Sequence, residues 1–362
     1  MRVARWKAIV LAVGVAGLWG SPTGAAESAP LAESMPVTAL VFSPDGSNLV
    51  SNGDRSLAVR DPVDGTVRRS VPCDLSRITS LAFRRDGRLL AVGGGEPGVR
   101  GEWCLFSWPE GRLVRRSGGP RDLVTSVAFD REGRRLGVAS ADHGASLWEL
   151  GPDPGASGGG AGAGSSLGEP TERPRFTLTG HAGPVLAVAF PGSGDLLVTA
   201  GGDRSVKVWS LDGGRLQRSL NHHTEAIRAL AFRPMEAGVG AGAGALQEFC
   251  ATAGDDRTVR VWQPGLGRMV RIIRGHESAV LALTWSVDGR WLFSAGRDGV
   301  IRCVEGDSDV LRAQWRAQDD WIYALAASPD GARLASGGWG ARVRVDELRA
   351  RVPGWQAEAG SP

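Results

Sequence analysis

Residues Gly180 to Leu220, GHAGPVLAVAFPGSGDLLVTAGGDRSVKVWSLDGGRLQRSL, read as four short β-strands in succession. The first, Val185–Phe190, has the alternation of a packed strand. It turns at Pro191–Gly194 into Leu196–Ala200, then at Gly201–Asp203 into Val206–Trp209, and finally at Asp212–Gly214 into Arg215–Leu220. Gly and Asp at each turn supply the backbone freedom or the side-chain hydrogen bond that a tight hairpin needs. A four-stranded meander of this length cannot bury both of its faces alone, so copies of it must stack on one another.

Working outward, six weaker copies appear. They begin at Val37 (VTALVFSPDG), Ile78 (ITSLAFRRDG), Val124 (VTSVAFDREG), Ala226 (AIRALAF, continuing as FCATAGDDRTVRVW at Phe249), Val280 (VLALTWSVDG) and Ile322 (IYALAASPDG). Seven units between about residues 35 and 350 give a period of roughly 45, which suits four-stranded propeller blades. Three departures interrupt the period. Copy two carries extra residues at Glu96–Glu102. A Gly/Ala/Ser/Pro-rich run, 151–174, separates the third and fourth strands of copy three, and a shorter one, 236–245, sits in the first hairpin of copy five. Both runs read as flexible surface excursions rather than domain boundaries.

These residues resemble the WD-repeat β-propeller family, in the form of a bacterial-type exported member. The resemblance rests on Gly180–His181 and Gly275–His276, on the SPDG turns at Ser43–Gly46 and Ser328–Gly331, and on an Asp six residues before a Trp at Asp142/Trp148, Asp203/Trp209 and Asp256/Trp262. It implies an all-β, seven-bladed propeller of four-stranded antiparallel blades, forming one toroidal domain over residues 27–357 with a tail at 358–362. It further implies hydrogen-bonded tetrads of loop His, second-strand hydroxyl, turn Asp and third-strand Trp. His181, Thr199, Asp203 and Trp209 match it fully; His222 or His223 with Thr252, Asp256 and Trp262 matches in copy five. Copy six offers His276, Ser294 and Asp298 but has Val304 in place of the Trp, and copies one, two and seven lack most of the set. The family also closes its ring with a strand from the other terminus, here from Glu27–Ser34 or from Arg351–Ala357.

The N-terminus stands apart. Arg2, Arg5 and Lys7 precede an apolar run, Ala8–Trp19, followed by small residues suited to cleavage near Ala25 or Ala26. That is the layout of a secretory signal peptide, residues 1–26. The run is too short to span a bilayer, so no transmembrane anchor is expected after cleavage and the protein is expected in the periplasm or outside the cell. The leader holds three basic and no acidic residues; without it 39 Lys and Arg face 39 Asp and Glu. A nucleic-acid partner thereby loses its electrostatic basis.

No chemistry-bearing motif stands out. His, Ser/Thr and Asp recur together in successive copies, whereas an enzyme needs one such site, so they read as framework. No GxSxG elbow, HExxH motif or phosphate loop occurs, and no cofactor or metal is expected. Cys73, Cys104, Cys250 and Cys303 are widely spaced and read as small buried apolar residues rather than bridges. The end of the ring that carries the fourth-to-first and second-to-third connections is where this family usually binds partners. It collects Arg55, Arg204, Arg257, Arg297, Asp320, Trp321 and Trp339, together with Arg121, Asp122, Glu225 and Asp319. Arg55, Arg204 and Arg257 also fit a plain turn role beside a tetrad Asp. The reading is a monomeric, non-catalytic scaffold that presents these loops to a protein or peptide. Two alternatives stay open: a propeller enzyme (hydrolase, lactonase or quinone-dependent oxidoreductase) with a site in the central channel, where Asp319/Asp320 is the acidic pair near an entrance, and an accessory subunit of an envelope enzyme or cytochrome complex.

Overall fold

The computed structural model describes residues 35–151, 173–234 and 248–355. Within them consecutive strands pair antiparallel inside each repeat and not across repeats, which builds six four-stranded sheets and one of three strands. The sheets are the blades of a seven-bladed β-propeller. The opening stretch forms blade four, with strands Val185–Ala189, Leu196–Gly201, Val206–Ser210 and Leu216–Leu220. Burial falls from the inside outward: Leu196–Gly201 is buried at every residue, whereas Leu216–Ser219 is exposed. A strand covered on both faces has no polar alternation to show, which is why the second strands read as continuous apolar runs.

The first strands of the blades are Leu40–Phe42, Ile78–Phe83, Val124–Phe129, Val185–Ala189, Ile227–Phe232, Val280–Trp285 and Ile322–Ala327. Each lies against the next and the last lies against the first, closing the ring about its axis. Seven apolar clusters fill the seven gaps between blades. Trp209 packs with Ala139, Leu147 and Leu178 between blades three and four, and Val37, Leu40 and Phe42 meet Ala324, Ala326 and Ala335 between blades one and seven. Each buried Trp removes roughly 200 Å² from water, on the order of 5 kcal/mol of gross transfer free energy.

Glycine closes the second strand in most blades for a reason of space. A methyl group on Gly94, Gly201, Gly254, Gly296 or Gly338 would overlap a carbonyl oxygen of the connection entering its own blade. The extra residues of copy two lengthen its central hairpin, so that Leu89–Glu96 pairs with Arg100–Ser107 out to Glu96 opposite Arg100. Strands Gly144–Glu149 and Phe176–Thr179 flank the run 151–174, and Phe232 and Cys250 flank 236–245; nearly all of both runs lies outside the described residues.

The C-terminal closure differs from expectation. Residues Arg351–Trp355 form no strand: Leu348–Arg351 is a single helical turn, and the chain bends on to Trp355. Leu348 on that turn, and Val352 and Trp355 after it, are buried between blades six and seven, where Trp355 rests on Trp291 and Phe293. Glu27–Ser34 and the leader lie outside the described residues. All four cysteines are free and buried; burial drives the Cys303 thiol up to about 12.

Candidate interaction face

A blade whose strands run alternately down and up brings its fourth-to-first and second-to-third connections to the same end. In blade four these connections are tied by side chains. The His181 Nδ1–H donates to both oxygens of Asp203, at 3.0 and 2.9 Å, and its Nε2 accepts from Thr199 Oγ1 at 2.7 Å. The Trp209 indole donates to the same Thr199 oxygen at 2.8 Å. In this relay the imidazole nitrogens, the Thr199 hydroxyl and the indole N–H each find a partner. Burial holds the His181 imidazole below its ordinary pKa, so the ring is neutral. Burial works against the Asp203 anion, but donors from His181, Ser205 and Ala182 outweigh it and keep its pKa below the usual range. Blade five repeats the set: His223, not His222, bonds Asp256 and Thr252, at 2.8 Å each, and Trp262 donates to Thr252 at 2.7 Å. His222 packs edge-on to the Trp262 ring instead.

Blade six departs from the sequence reading. Asp298 does not reach His276; Arg302 stands between them, donating to Asp298 at 2.7 Å and to His276 Nδ1 at 3.1 Å. A guanidinium can only donate, so His276 carries its proton on Nε2, facing Ser294 at 2.8 Å, the tautomer opposite to that of His181. Burial and the Arg302 charge depress its pKa to about 4. Blade seven uses Gln318 Nε2 on Ser336 Oγ at 3.3 Å, and in blade one Arg60 Nε donates to Ser51 at 2.9 Å from the Trp position. Gln318 and Arg60 could have been found by the phasing of the copies, but no residue-type motif marks them.

The first strands carry a second repeated feature that sequence reading missed. A bulge leaves Thr79, Thr125, Leu186, Arg228, Leu281 and Tyr323 out of register with the second strand at the same level of their blades. Hydroxyls stitch one side of the ring: Thr38 donates to the Ile78 carbonyl (3.2 Å), Thr79 to Val124 (2.5 Å) and Thr125 to Val185 (2.6 Å). Blades four to seven place Leu186, Arg228, Leu281 and Tyr323 at this level instead. Arg228 is spoken for by Asp255, with bonds of 2.5 to 3.1 Å. Tyr323, the single tyrosine of the chain, makes no side-chain hydrogen bond among the described residues and packs edge-on to Trp321.

Around Tyr323 the structure gathers three of the sequence-selected residues. Trp321 and Trp339 lie with ring centres 6.2 Å apart, and Tyr323 is 6.1 Å from Trp321 and 6.5 Å from Trp339. The Arg297 guanidinium covers Trp321 at 4.6 Å. Large aromatics normally bury most of their area, yet Trp321 and Trp339 are 37% and 43% exposed. Among the described residues no carboxylate pairs with Arg297. Asp320 accepts from the Trp321 backbone N–H at 2.7 Å and so fixes the loop beneath the shelf. Arg204 and Arg257 are not part of this group. They sit in blades four and five at turn positions with left-handed backbone, φ of 67° and 61°, and Arg55 holds a similar turn in blade one at 47°. Among the described residues no group of three or more His, Cys, Asp or Glu is placed to hold a metal ion, and no helix is long and apolar enough to cross a membrane.

The repeat spacing, the ring and the tetrads coincide with a family model. The model for the WD domain, G-beta repeat, matches residues 31–61, 172–210, 214–263, 267–304 and 310–345. The chain belongs to the WD-repeat family. The model leaves unmatched blade two and the first three strands of blade three, the blades in which Val92 and Val138 replace the tetrad hydroxyl. Among curated proteins, the chain is similar to nuclear distribution protein PAC1-1 of Uncinocarpus reesii, 29% identical over 40% of this chain and 35% of that protein. Nuclear distribution protein PAC1 of Arthroderma benhamiae is 30% identical over 51% and 40%, and that of Coccidioides posadasii 29% over 43% and 42%. The chain thus spans less than half the length of these relatives.

Proposed function

We propose that this WD-repeat protein is a non-catalytic scaffold that captures a protein or peptide at its loop-bearing end, anchored on Trp321, Tyr323, Trp339 and Arg297. The observation that carries the reading is the pair of half-exposed indoles, one of them under a guanidinium that has no carboxylate partner among the described residues. Trp, Tyr and Arg are the residues on which interface energy concentrates, and an aromatic shelf of this kind on a monomer's surface is a contact in waiting. Arg55, Arg204 and Arg257 stand farther round the same end, where their charges steer an approaching partner more than they hold it. The curated relatives are named for nuclear distribution. Similarity to a fraction of their length supports propeller-mediated protein capture for this chain, with no specific role carried over. Residues 1–26 support export, so the partner is sought in the periplasm or outside the cell.

The test is site-specific photo-crosslinking. A photoreactive residue at Trp339 should crosslink a discrete partner in the native compartment, and one at exposed Val287 in a first-to-second turn at the opposite end should not. Trp321→Ala with Trp339→Ala should weaken capture at least about thirtyfold, as loss of one hot-spot Trp of about 2 kcal/mol implies. Equal crosslinking from both ends, or capture undiminished in the double variant, refutes this placement.

A further inference from the structure

Blade three lacks the side chains that fill its neighbours. The strand pairings align Val138 with Thr199, Thr252 and Ser294, and Ser146 with Lys207, Arg260 and Arg302. The same phasing puts Pro120 at the position of His181, His223 and His276, and Gly144 at that of Ser205 and Thr258. Trp148 stays, but with no hydroxyl at residue 138 its indole donates to Ser146 Oγ at 2.8 Å. The result of four shortened or reshaped side chains is an open cavity of about 460 Å³, lined by Pro120, Val138, Asp142, Ser146, Trp148 and Thr177 among others. Its volume lies in the range of ligand pockets.

Asp142 is the chemically informative wall. In blades four to six the corresponding carboxylates are met by side chains: Asp203 by His181 and Ser205, Asp256 by His223, Thr258 and Arg260, and Asp298 by Arg302. Among the described residues Asp142 accepts only from backbone N–H groups, Arg121 at 2.8 Å and Gly144 at 3.0 Å. In blades five and six the cation that reaches the turn Asp is an arginine on the third strand, at the position where blade three has Ser146.

We propose that this cavity is a socket for one arginine side chain of a bound protein or peptide. The guanidinium meets Asp142 as Arg302 meets Asp298, and the methylene stem lies along Val138, Pro120 and Trp148 in the space that a resident arginine fills elsewhere. The charge of Asp142 and the apolar stem channel select an arginine over an acidic or purely aliphatic residue. Arg121 at the rim disfavours cations that stop short of the carboxylate. The socket is independent of the Trp321–Trp339 shelf, which lies on blade seven.

The test uses protein labelled with 5-fluorotryptophan, the Trp148 fluorine line being assigned from Trp148→Phe. The probes are the tripeptides acetyl-Gly-Arg-Gly-amide and its Lys, norleucine and Glu counterparts. The Arg peptide should shift the Trp148 line saturably at millimolar concentration; the Lys, norleucine and Glu peptides should need at least about tenfold more, because a hydrogen bond to a charged group is at stake. Asp142→Ala should abolish the response. Ser146→Arg, which supplies the arginine in cis, should abolish it too while keeping the folded fluorine spectrum, and Trp321→Ala with Trp339→Ala should leave it intact. No saturable shift with the Arg peptide, an equal response to any other peptide, or binding unchanged in Asp142→Ala or Ser146→Arg overturns the proposal.

Discussion

Replacing Thr199 by Val tests the framework at its most connected atom. Thr199 Oγ1 accepts from the Trp209 indole at 2.8 Å and donates to His181 Nε2 at 2.7 Å, and all three residues are buried. Valine keeps the volume but orphans an indole N–H and an imidazole nitrogen. At about 1–3 kcal/mol for each of the two unsatisfied buried groups, the expected loss is about 2–6 kcal/mol. Thr199→Ser keeps the hydroxyl and should cost only the methyl, about 1 kcal/mol. Blade three supplies an internal control, since Val138 is native there and Trp148 turns to Ser146. Adding Lys207→Ser to Thr199→Val offers Trp209 the same substitute and should recover about 1 kcal/mol. Urea unfolding followed by tryptophan fluorescence reads all four proteins. A Thr199→Val protein within about 0.5 kcal/mol of the parent, or a double variant weaker than the single, would refute the satisfaction argument.

Stability should also fall on acidification through the window between pH 6.5 and 4. The unfolded chain there binds a proton that His276, with its pKa near 4, refuses in the folded state; the difference amounts to about 3 kcal/mol. His276→Gln, which imitates Gln318 on Ser336, should flatten that part of a urea-midpoint-against-pH curve. Gly296→Ala drives a methyl into the Ala279 carbonyl oxygen and should cost about 1–3 kcal/mol by the same unfolding assay, with a structure showing the blade-six entry displaced. Trp355→Ala empties the plug between blades six and seven and should cost about 3–5 kcal/mol, with hydrogen exchange rising first in blade seven. Arg204→Gly and Arg257→Gly relieve a left-handed turn while freeing the unfolded chain, so each should stay within about 1 kcal/mol of the parent in thermal unfolding.

How far the sequence reaches depends on whether a property is local and periodic. Strand type, turn positions, seven copies and the residues of the complete tetrads are all encoded within one blade's length, because hairpin registers and the Asp-to-Trp spacing are set by short-range geometry. Glycine at the end of the second strand is visible as a repeated letter, though its cause, a carbonyl of the entering connection, is not. Where a side chain is long, spacing stops deciding. Asp298 aligns with Asp203, yet Arg302 from the next strand intervenes and reverses the tautomer of His276. The same limit applies between blades. Trp321, Trp339 and Arg297 come from three connections of two blades and Tyr323 from a first strand, and their packing follows from the angle at which the ring sets neighbouring sheets.

The sequence by itself determined the blade, its number of copies and its internal hydrogen-bonding letters, since each is a matter of contacts among residues close in the chain. Only the tertiary structure decided that the C-terminal segment plugs a gap as a helical turn, that Thr38, Thr79 and Thr125 stitch one side of the ring, and that blade three is hollow. The physical reason is common to all three. Each depends on which surfaces meet once seven sheets close about an axis, and on whether a side chain long enough to reach across is present at the meeting point.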